Sequence, residues 1–289
     1  MLRILINRKA GKNNKKIDFN SIKKKFPKQY LNKKIYNVED VNNYDHFFDS
    51  INFKDVIVLV GGDGTYNHFI NGISKTPNQK IFFMRSGTGN DFFRSISKKN
   101  KIILVNDYIK HLPKVNINGL DFKYLNGIGI GLDGYVGNQI KNKTPSKNAF
   151  TFFYHSIVGI LKFKTFILNI DIDGNNLKYN KTWFCSIMFG STFGRGMKVA
   201  PHATREKELH AVIVKDCPRW LLLFIFPFIY FGKHIWFKKY VDIIEGNDLE
   251  LLFKSKQYCQ IDGEIIEVKK TPIRTSIWLS FQTYFIIDI

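Results

Sequence analysis

Val56-Ile57-Val58-Leu59-Val60-Gly61-Gly62-Asp63-Gly64-Thr65 is the stretch whose reading decides the fold. Val56 to Val60 is an unbroken apolar run of strand length. Beyond Thr65 the apolar residues Tyr66, Phe69, Ile70 and Ile73 recur at helical spacing. The order is therefore strand, glycine loop, helix. It repeats at once, with Ile81 to Met84 as the strand, Arg85 to Asn90 as the loop, and Phe92, Phe93 and Ile96 on the next helix. The second loop reads Gly87-Thr88-Gly89-Asn90-Asp91. Glycine lets the backbone approach a phosphate closely, and a helix N-terminus offers unpaired N–H groups and the positive end of a dipole. Two neighbouring cradles predict a polyphosphate ligand.

Neither common phosphate motif fits. No Gly-Lys-Ser/Thr closes the first loop as a Walker A would, and the glycines do not follow Gly-x-Gly-x-x-Gly. Working outward, apolar runs at Arg3 to Asn7 and Lys34 to Tyr36 join the two strands above in alternation with polar or helical segments. Residues 1–113 are thus expected to form an α/β domain with a parallel sheet, its ligand beyond the C-terminal strand ends where both loops fall. From 114 to 289 the texture changes to short β-like runs at 167–171, 183–188, 211–214, 249–253, 258–261, 265–268 and 277–281, with helical pieces near 150–163 and 220–240. Spaced strands and tight turns predict a β-sandwich-like second domain.

The 289 residues are 44% hydrophobic, enough for a substantial packed core. Cys185, Cys217 and Cys259 are widely spaced and form no Cys-x-x-Cys pair, which argues against a disulfide framework or a zinc site and for a reducing, cytoplasmic setting. The N-terminus lacks the layout of a signal peptide. Lysine and arginine number 44 against 24 acidic residues, a net charge of +20 that attracts anionic surfaces. The basic residues are scattered clusters, and no helix-turn-helix, zinc-finger or ribonucleoprotein signature accompanies them, so nucleic acid is not the expected partner. The most apolar stretch, Trp220 to Phe231, is too short to span a bilayer and is flanked by Arg219, Lys233, His234, Lys238 and Lys239. Burial in the core is the first expectation for it, and contact with anionic lipid head groups the second.

Gly61 to Thr65 followed by Tyr66-Asn67-His68-Phe69-Ile70-Asn71-Gly72 resembles the nucleotide loop of the diacylglycerol-kinase-like lipid kinases, which include the sphingosine and ceramide kinases. The segment from Gly87 to Asp91 is similar to the same family's second glycine element, and Asn7-Arg8-Lys9-Ala10-Gly11 to its N-terminal one. Further matches in order are Asn126 to Val136 with Asp133, Gly194-Arg195-Gly196-Met197 with Ala200-Pro201, Gly232-Lys233-His234, and Asp262-Gly263-Glu264. The resemblance implies two domains with the active site in the cleft between, and the chain end possessing a path back to the first domain. It implies ATP as co-substrate and Mg²⁺ as the accompanying ion, with nucleotide contacts at Asn7, Ala10, Gly11, Asn37, Gly61, Gly62, Asp63, Gly64, Thr65, Tyr66, Asn67, His68, Gly87, Thr88, Gly89 and Asn90.

This chain departs from the family pattern at three places. His68 stands where glutamate is frequent, and Asn37 where a threonine is expected. Glu206-Lys207-Glu208-Leu209 stands where bacterial members have Asp-Gly-x-Leu, so the structural magnesium site that the family builds near Glu206 is expected to be altered or missing.

Phosphoryl transfer needs a held triphosphate, a cation and a group to take the hydroxyl proton. Asp63, between phosphate-cradling glycines, is the candidate metal ligand. Read from the residues alone, Asp262-Gly263 is a β-hairpin turn, and so is Asp173-Gly174. The resemblance places the proton acceptor in Asp-Gly-Glu; of the two carboxylates Glu264 has the longer reach, making it the acceptor and Asp262 its orienting partner. His202 and His210 lack a third ligand and read as solvated loop residues. The expected protein is a cytoplasmic, membrane-associating lipid kinase acting on a diacylglycerol-like or sphingoid-like lipid. The rival readings are a nicotinamide-dinucleotide kinase, which shares Gly-Gly-Asp-Gly-Thr, and a nucleotide- or lipid-binding homologue without catalysis.

Overall fold

The structure is a computed structural model that describes residues 1–7, 19–26, 32–86, 90–97, 99–143, 149–206, 208–269 and 271–277. In the first part, strands β1 (Leu2–Ile6), β2 (Lys33–Asn37), β3 (Val56–Gly61), β4 (Lys80–Arg85) and β5 (Ile102–Leu104) form one sheet in the order β2-β1-β3-β4-β5. The first four run parallel and β5 is antiparallel to β4. Helices α1 (Phe19–Lys25), α2 (Tyr44–Asp49), α3 (Asp63–Gly72), α4 (Asp91–Ile96) and α5 (Asn106–Lys110) lie between the strands and after them.

The β3 run is apolar throughout because the sheet is covered on both faces. Val56, Val58 and Val60 pack with Leu2, Ile4, Ile6 and Ile22, whereas Ile57 and Leu59 enter a larger core with Leu5, Phe69, Ile81 and Phe83. Successive side chains of a strand point to opposite faces, so alternation survives here as two cores instead of core and solvent. Each such aliphatic side chain contributes about 1.5–3 kcal/mol relative to exposure. The larger core continues without a break into the second part of the chain through Tyr124, Leu125 and Ile128.

That second part is one antiparallel assembly of β6 (Lys114–Ile117), β7 (Leu120–Lys123), β8 (Gly127–Gly131), β9 (Phe166–Ile172), β10 (Asn175–Met188), β11 (Leu209–Lys215), β12 (Val241–Gly246), β13 (Asp248–Leu252), β14 (Gln257–Ile261), β15 (Glu264–Val268) and β16 (Ile273–Ser276). The main path is β15-β14-β8-β10-β9-β13-β16-β6-β7, with β11 linking β10 to β12. Helices α6 (Leu132–Lys143), α7 (Ala149–Lys162) and α8 (Arg219–Ile225) pack on it and on one another. The architecture is the expected α/β unit followed by a β-sandwich-like unit.

Three local expectations differ from the structure. The glycine-rich stretch after Asn126 is strand β8 leading into α6; a Cβ on Gly129 would lie 1.8 Å from a carboxylate oxygen of Asp133, so glycine makes room for the helix on the strand. The helical piece 220–240 breaks after Ile225 into two 3-10 segments, Phe226–Phe231 and Lys233–Trp236, because Pro227 lacks a donor and Gly232 takes φ +70° between them. The last strand ends at Ser276, ahead of the expected run 277–281, of which 278–281 lie outside the described residues. The expected return of the chain end lies outside them too.

Candidate active site

Because β2, β1, β3 and β4 are parallel, their C-terminal ends form one edge that carries Asn37, Asn7, Gly61 and Arg85 in a row. Strand β3 runs through Gly61, and α3 starts at Asp63 with Gly62 as its N-cap, so Gly64 and Thr65 are already helical. The loop is shorter than the sequence reading has it. A Cβ on Gly61 would sit 2.5 Å from the Thr65 Cβ, which forbids a side chain where the strand meets the helix. Nothing lies within 4 Å of a Cβ placed on Gly64, so the first turn of α3 faces open space with its backbone donors. The loop from β4 to α4 is alongside, since the Ser86 N–H donates to the Gly61 carbonyl at 2.6 Å. Gly87, Thr88 and Gly89 lie outside the described residues, as do Ala10 and Gly11.

Asp63 has a role that sequence reasoning missed. Its carboxylate accepts the Asp91 N–H at 2.8 Å and the Phe92 N–H at 3.2 Å, and so caps α4 from α3. The Asp91 and Phe92 amides of α4 are therefore satisfied by protein. Asp91 continues the link across the cleft. It accepts the Arg195 N–H at 2.7 Å and the Arg94 guanidinium at 2.9 Å, while its carbonyl takes the Thr192 hydroxyl at 3.1 Å.

The second link between the lobes is Asp262. It sits at φ +46° in the turn from β14 to β15, a left-handed position that aspartate and asparagine tolerate better than most residues. Its buried carboxylate accepts N–H groups from Leu125 (2.5 Å), Asn126 (2.8 Å) and Gly127 (3.3 Å), and the side-chain amide of Asn67 on α3 at 3.1 Å. One turn further along α3, Asn71 exchanges two hydrogen bonds with the backbone of Lys123, at 2.9 and 2.7 Å. The i, i+4 spacing puts Asp63, Asn67 and Asn71 on one face of α3, and that face meets the second lobe.

Arg205, which the sequence reading passed over, lies half-buried at the centre of this contact. Its guanidinium donates to the Ser95 hydroxyl (2.7 Å), the Leu125 carbonyl (2.5 Å) and the Asn126 side-chain oxygen (2.6 Å), and stacks 4.8 Å from the Phe92 ring centroid. Burial pulls its pKa down to about 10, so it stays charged at neutral pH. It joins α4 of the first lobe to the segment that holds Asp262.

The chain matches the sequence profile of the diacylglycerol kinase catalytic domain over residues 1–117 and that of the YegS C-terminal NAD kinase beta sandwich-like domain over residues 126–278. It belongs to the diacylglycerol-kinase-like lipid kinase family. Among relatives of this family member, the YtlR protein of Bacillus subtilis, a proposed lipid kinase, is 29% identical over 75% of the chain and 76% of its own length. A diacylglycerol kinase of Staphylococcus aureus is 33% identical over 42% of the chain and 40% of its own length. A solved diacylglycerol kinase of Bacillus anthracis superposes with TM-score 0.63 at 17% identity, covering 96% of this chain and 93% of that one. An NAD kinase of Archaeoglobus fulgidus solved with ATP superposes with TM-score 0.50 at 14% identity, over 96% and 91%. At those identities the two structures speak for the fold.

Within this lipid-kinase fold the other expected site residues separate into groups. Asn7 donates to the Thr65 hydroxyl at 3.0 Å, tying β1 to the first turn of α3. Asn37 places a buried side-chain oxygen at the same edge, without a partner among the described residues. Asn90 takes φ +56° as the N-cap position of α4. Tyr66 is core: its ring stacks on Phe83 at 4.1 Å and its hydroxyl reaches the Gly61 and Met84 carbonyls, so its side chain is not available to a nucleotide. His68 is exposed and packs edge-on to Tyr44, about 100° round the helix from Asn67. Glu206 is exposed, and no group of three or more metal-binding side chains is found among the described residues. His210 is buried in β11 and pairs with Glu245 at 3.2 Å, which corrects its reading as a solvated loop residue. Glu264, the first residue of β15, is exposed and makes no side-chain hydrogen bond or ion pair among the described residues.

The family member's cleft acids are held away from their ordinary titration. Burial first, and the charge of Asp91 next, push the Asp63 carboxyl up to about 7 from 3.8. Burial likewise raises Asp91, against donation from Arg195 and the charge of Arg94, and raises Asp262 against its four donors. A carboxyl raised in the folded state contributes stability that is complete below its unfolded pKa and is lost as pH rises through the folded value. Wild type should therefore lose stability relative to Asp63→Asn between about pH 4 and about pH 7 in urea unfolding. A gap that stays constant across that window contradicts this account. For Arg205→Met, which keeps the stem and removes the half-buried charge and its bonds, denaturant midpoints should report a loss of about 1.5–3 kcal/mol; a loss below about 0.5 kcal/mol would make the guanidinium dispensable.

Proposed function

We propose that the protein is an ATP-dependent lipid kinase, transferring the γ-phosphate to the hydroxyl of a diacylglycerol-like or sphingoid-like lipid. One observation carries the reading: the open first turn of α3 and the Asp262-Gly263-Glu264 turn are drawn to one interlobe cleft by the Asn67 to Asp262 hydrogen bond. The first turn of α3 offers backbone N–H groups and a positive dipole end to the phosphates. The acceptor hydroxyl oxygen forms the new bond to the γ-phosphorus as the bond to the bridging oxygen breaks. The electron pair leaves with ADP, and the hydroxyl proton goes to Glu264. Asp262 cannot take that part while four donors occupy it; it holds the turn so that Glu264 is presented.

Mg²⁺ fits the acidic side of the cleft, where the charge of Asp91 adds to burial in raising the Asp63 carboxyl and each Asp63 oxygen retains a lone pair beyond its capping bond. Asp63 would hold the ion, which supplies charge neutralisation on the transferring group. Offering radiolabelled ATP with a panel of lipids in mixed micelles tests the reading. Label in a lipid product supports it; label in a nicotinamide dinucleotide alone, or in nothing, does not.

Attachment to an anionic membrane surface is part of the same proposal. No helix among the described residues is long and apolar enough to cross a membrane. Leu222, Ile225 and Ile229 are buried, yet Trp220, Phe224, Phe231 and Trp236 of the same region are exposed, beside exposed Lys233, Lys238 and Lys239. Trp220→Ser with Phe224→Ser should lower cosedimentation with anionic vesicles about tenfold or more, since each aromatic lost removes apolar contact worth roughly 1.5–3 kcal/mol. Undiminished binding by the folded variant would remove the membrane from the account.

A further inference from the structure

An open cavity of about 510 Å³ lies between the lobes, lined among the described residues by Arg85, Arg94, Thr192, Arg195, Gly196 and Lys198. That volume is in the range of small-molecule sites. Four of its lining residues are basic and none is acidic. Arg85 ends β4 and Arg94 belongs to α4, while the other four residues come from the second lobe. The cavity therefore shares the cleft with the site above and adjoins Asp91, which bonds both Arg94 and the Arg195 backbone.

Two features make this more than a basic stretch of surface. Arg195 takes φ +68° between Gly194 at +61° and Gly196 at +107°. A left-handed position costs a non-glycine residue of order 1 kcal/mol, so an arginine held there retains a strain that glycine would relieve. Gly196 in turn leaves room for Arg94: a Cβ there would be 3.1 Å from its guanidinium. The cavity also borders the apolar surface. The Lys198 N–H donates to the Ile229 carbonyl at 3.0 Å, the Lys198 Cβ lies 3.5 Å from a Cβ placed on Gly232, and the Phe152 ring lies 3.6 Å from one placed on Gly194. Exposed Phe150 and Phe231 flank those contacts in sequence.

We infer that this cavity seats a phosphate carried by the acceptor lipid itself, so that the preferred acceptor is an anionic lipid bearing both a free hydroxyl and a charged head group. The inference rests on the lipid-kinase reading and narrows its substrate class. The exposed phenylalanines beside the cavity suit an acyl chain, and a neutral diacylglycerol has no use for four cations. Arginine forks match phosphate oxygens in pairs, and Lys198 adds a point charge from the lobe that carries the apolar face.

The discriminating ligands are a short-chain lysophosphatidic acid and the monoacylglycerol of the same chain length, which share a hydroxyl and an acyl chain and differ by the phosphate. Calorimetry in the presence of a nonhydrolysable ATP analogue should give wild type at least tenfold tighter binding of the charged lipid. Arg195→Gly suits the left-handed backbone and so should fold; alone, or with Lys198→Gln, it should bring the ratio of affinities toward one. An affinity ratio near one in wild type, or variants that weaken the ATP analogue while keeping the ratio, would overturn the inference. Phosphate transfer to the same two lipids is read separately. Preference in binding without transfer to either lipid sinks the kinase reading and leaves the cavity assignment, whereas transfer without preference sinks the cavity assignment alone.

Discussion

Glu264→Gln is expected to lower phosphate transfer about 10²–10⁴-fold, the usual contribution of a positioned general base. The reason is the contrast with its neighbour two residues back. Asp262 is buried and accepts four hydrogen bonds, whereas Glu264 is exposed and unengaged among the described residues. A base must have a lone pair free for the substrate proton, and only the second carboxylate meets that condition. Because Glu264 holds no side-chain partner among the described residues, the variant should unfold at the wild-type denaturant midpoint and bind an ATP analogue as wild type does. A turnover loss of less than about threefold would remove Glu264 from the mechanism, since general-base removal costs far more.

The second large effect falls on stability. Asp262→Ala strands the N–H groups of Leu125, Asn126 and Gly127 and the Asn67 amide, and leaves the nearby half-buried Arg205 charge less compensated. Each stranded buried donor costs about 1–3 kcal/mol, though relaxation and water recover part of it. Alanine at φ +46° adds strain. A net loss of about 3–5 kcal/mol is expected by urea unfolding, together with loss of phosphate transfer as the lobes come apart. Asp262→Asn should not restore either property, since its NH₂ group would face donors. Stability within about 1 kcal/mol of wild type would mean that the cleft is held elsewhere.

Much of this was legible in the chain because it rests on local patterns. The Val56 to Val60 run, the two glycine loops and the Asp-Gly turns each combine a residue type with a spacing that backbone physics demands. What the pattern could not supply was direction. Asp262-Gly263 and Asp173-Gly174 are the same turn by composition and by backbone, with φ +46° and +50° at the aspartates. One aspartate accepts from Asn67 across the cleft, and the other from the exposed N–H groups of Asn247 and Asp248. Tertiary placement alone separates them.

Arg205 was missed for a similar reason. It precedes the segment where the family pattern breaks, but nothing beside it in sequence announces burial, and its partners at Ser95, Leu125 and Asn126 are far away along the chain. Tyr66 erred in the other direction. Adjacent to the glycine loop in sequence, it lies on the inner face of α3, a helix that begins at Asp63, three residues earlier than the pattern placed it. Strand β8 escaped because alternating glycine hides the apolar period, and that alternation is what lets Asp133 sit over Gly129.

The account turns on a triphosphate lying between the first turn of α3 and the turn that carries Glu264. A crystal structure with a nonhydrolysable ATP analogue and Mn²⁺ in place of Mg²⁺ reads this directly. The account predicts the phosphates against the Gly62 to Gly64 amides, an anomalous peak beside Asp63, and the terminal phosphate facing Glu264 across the cleft. Phosphates bound away from α3, or a terminal phosphate turned from Glu264, would contradict it.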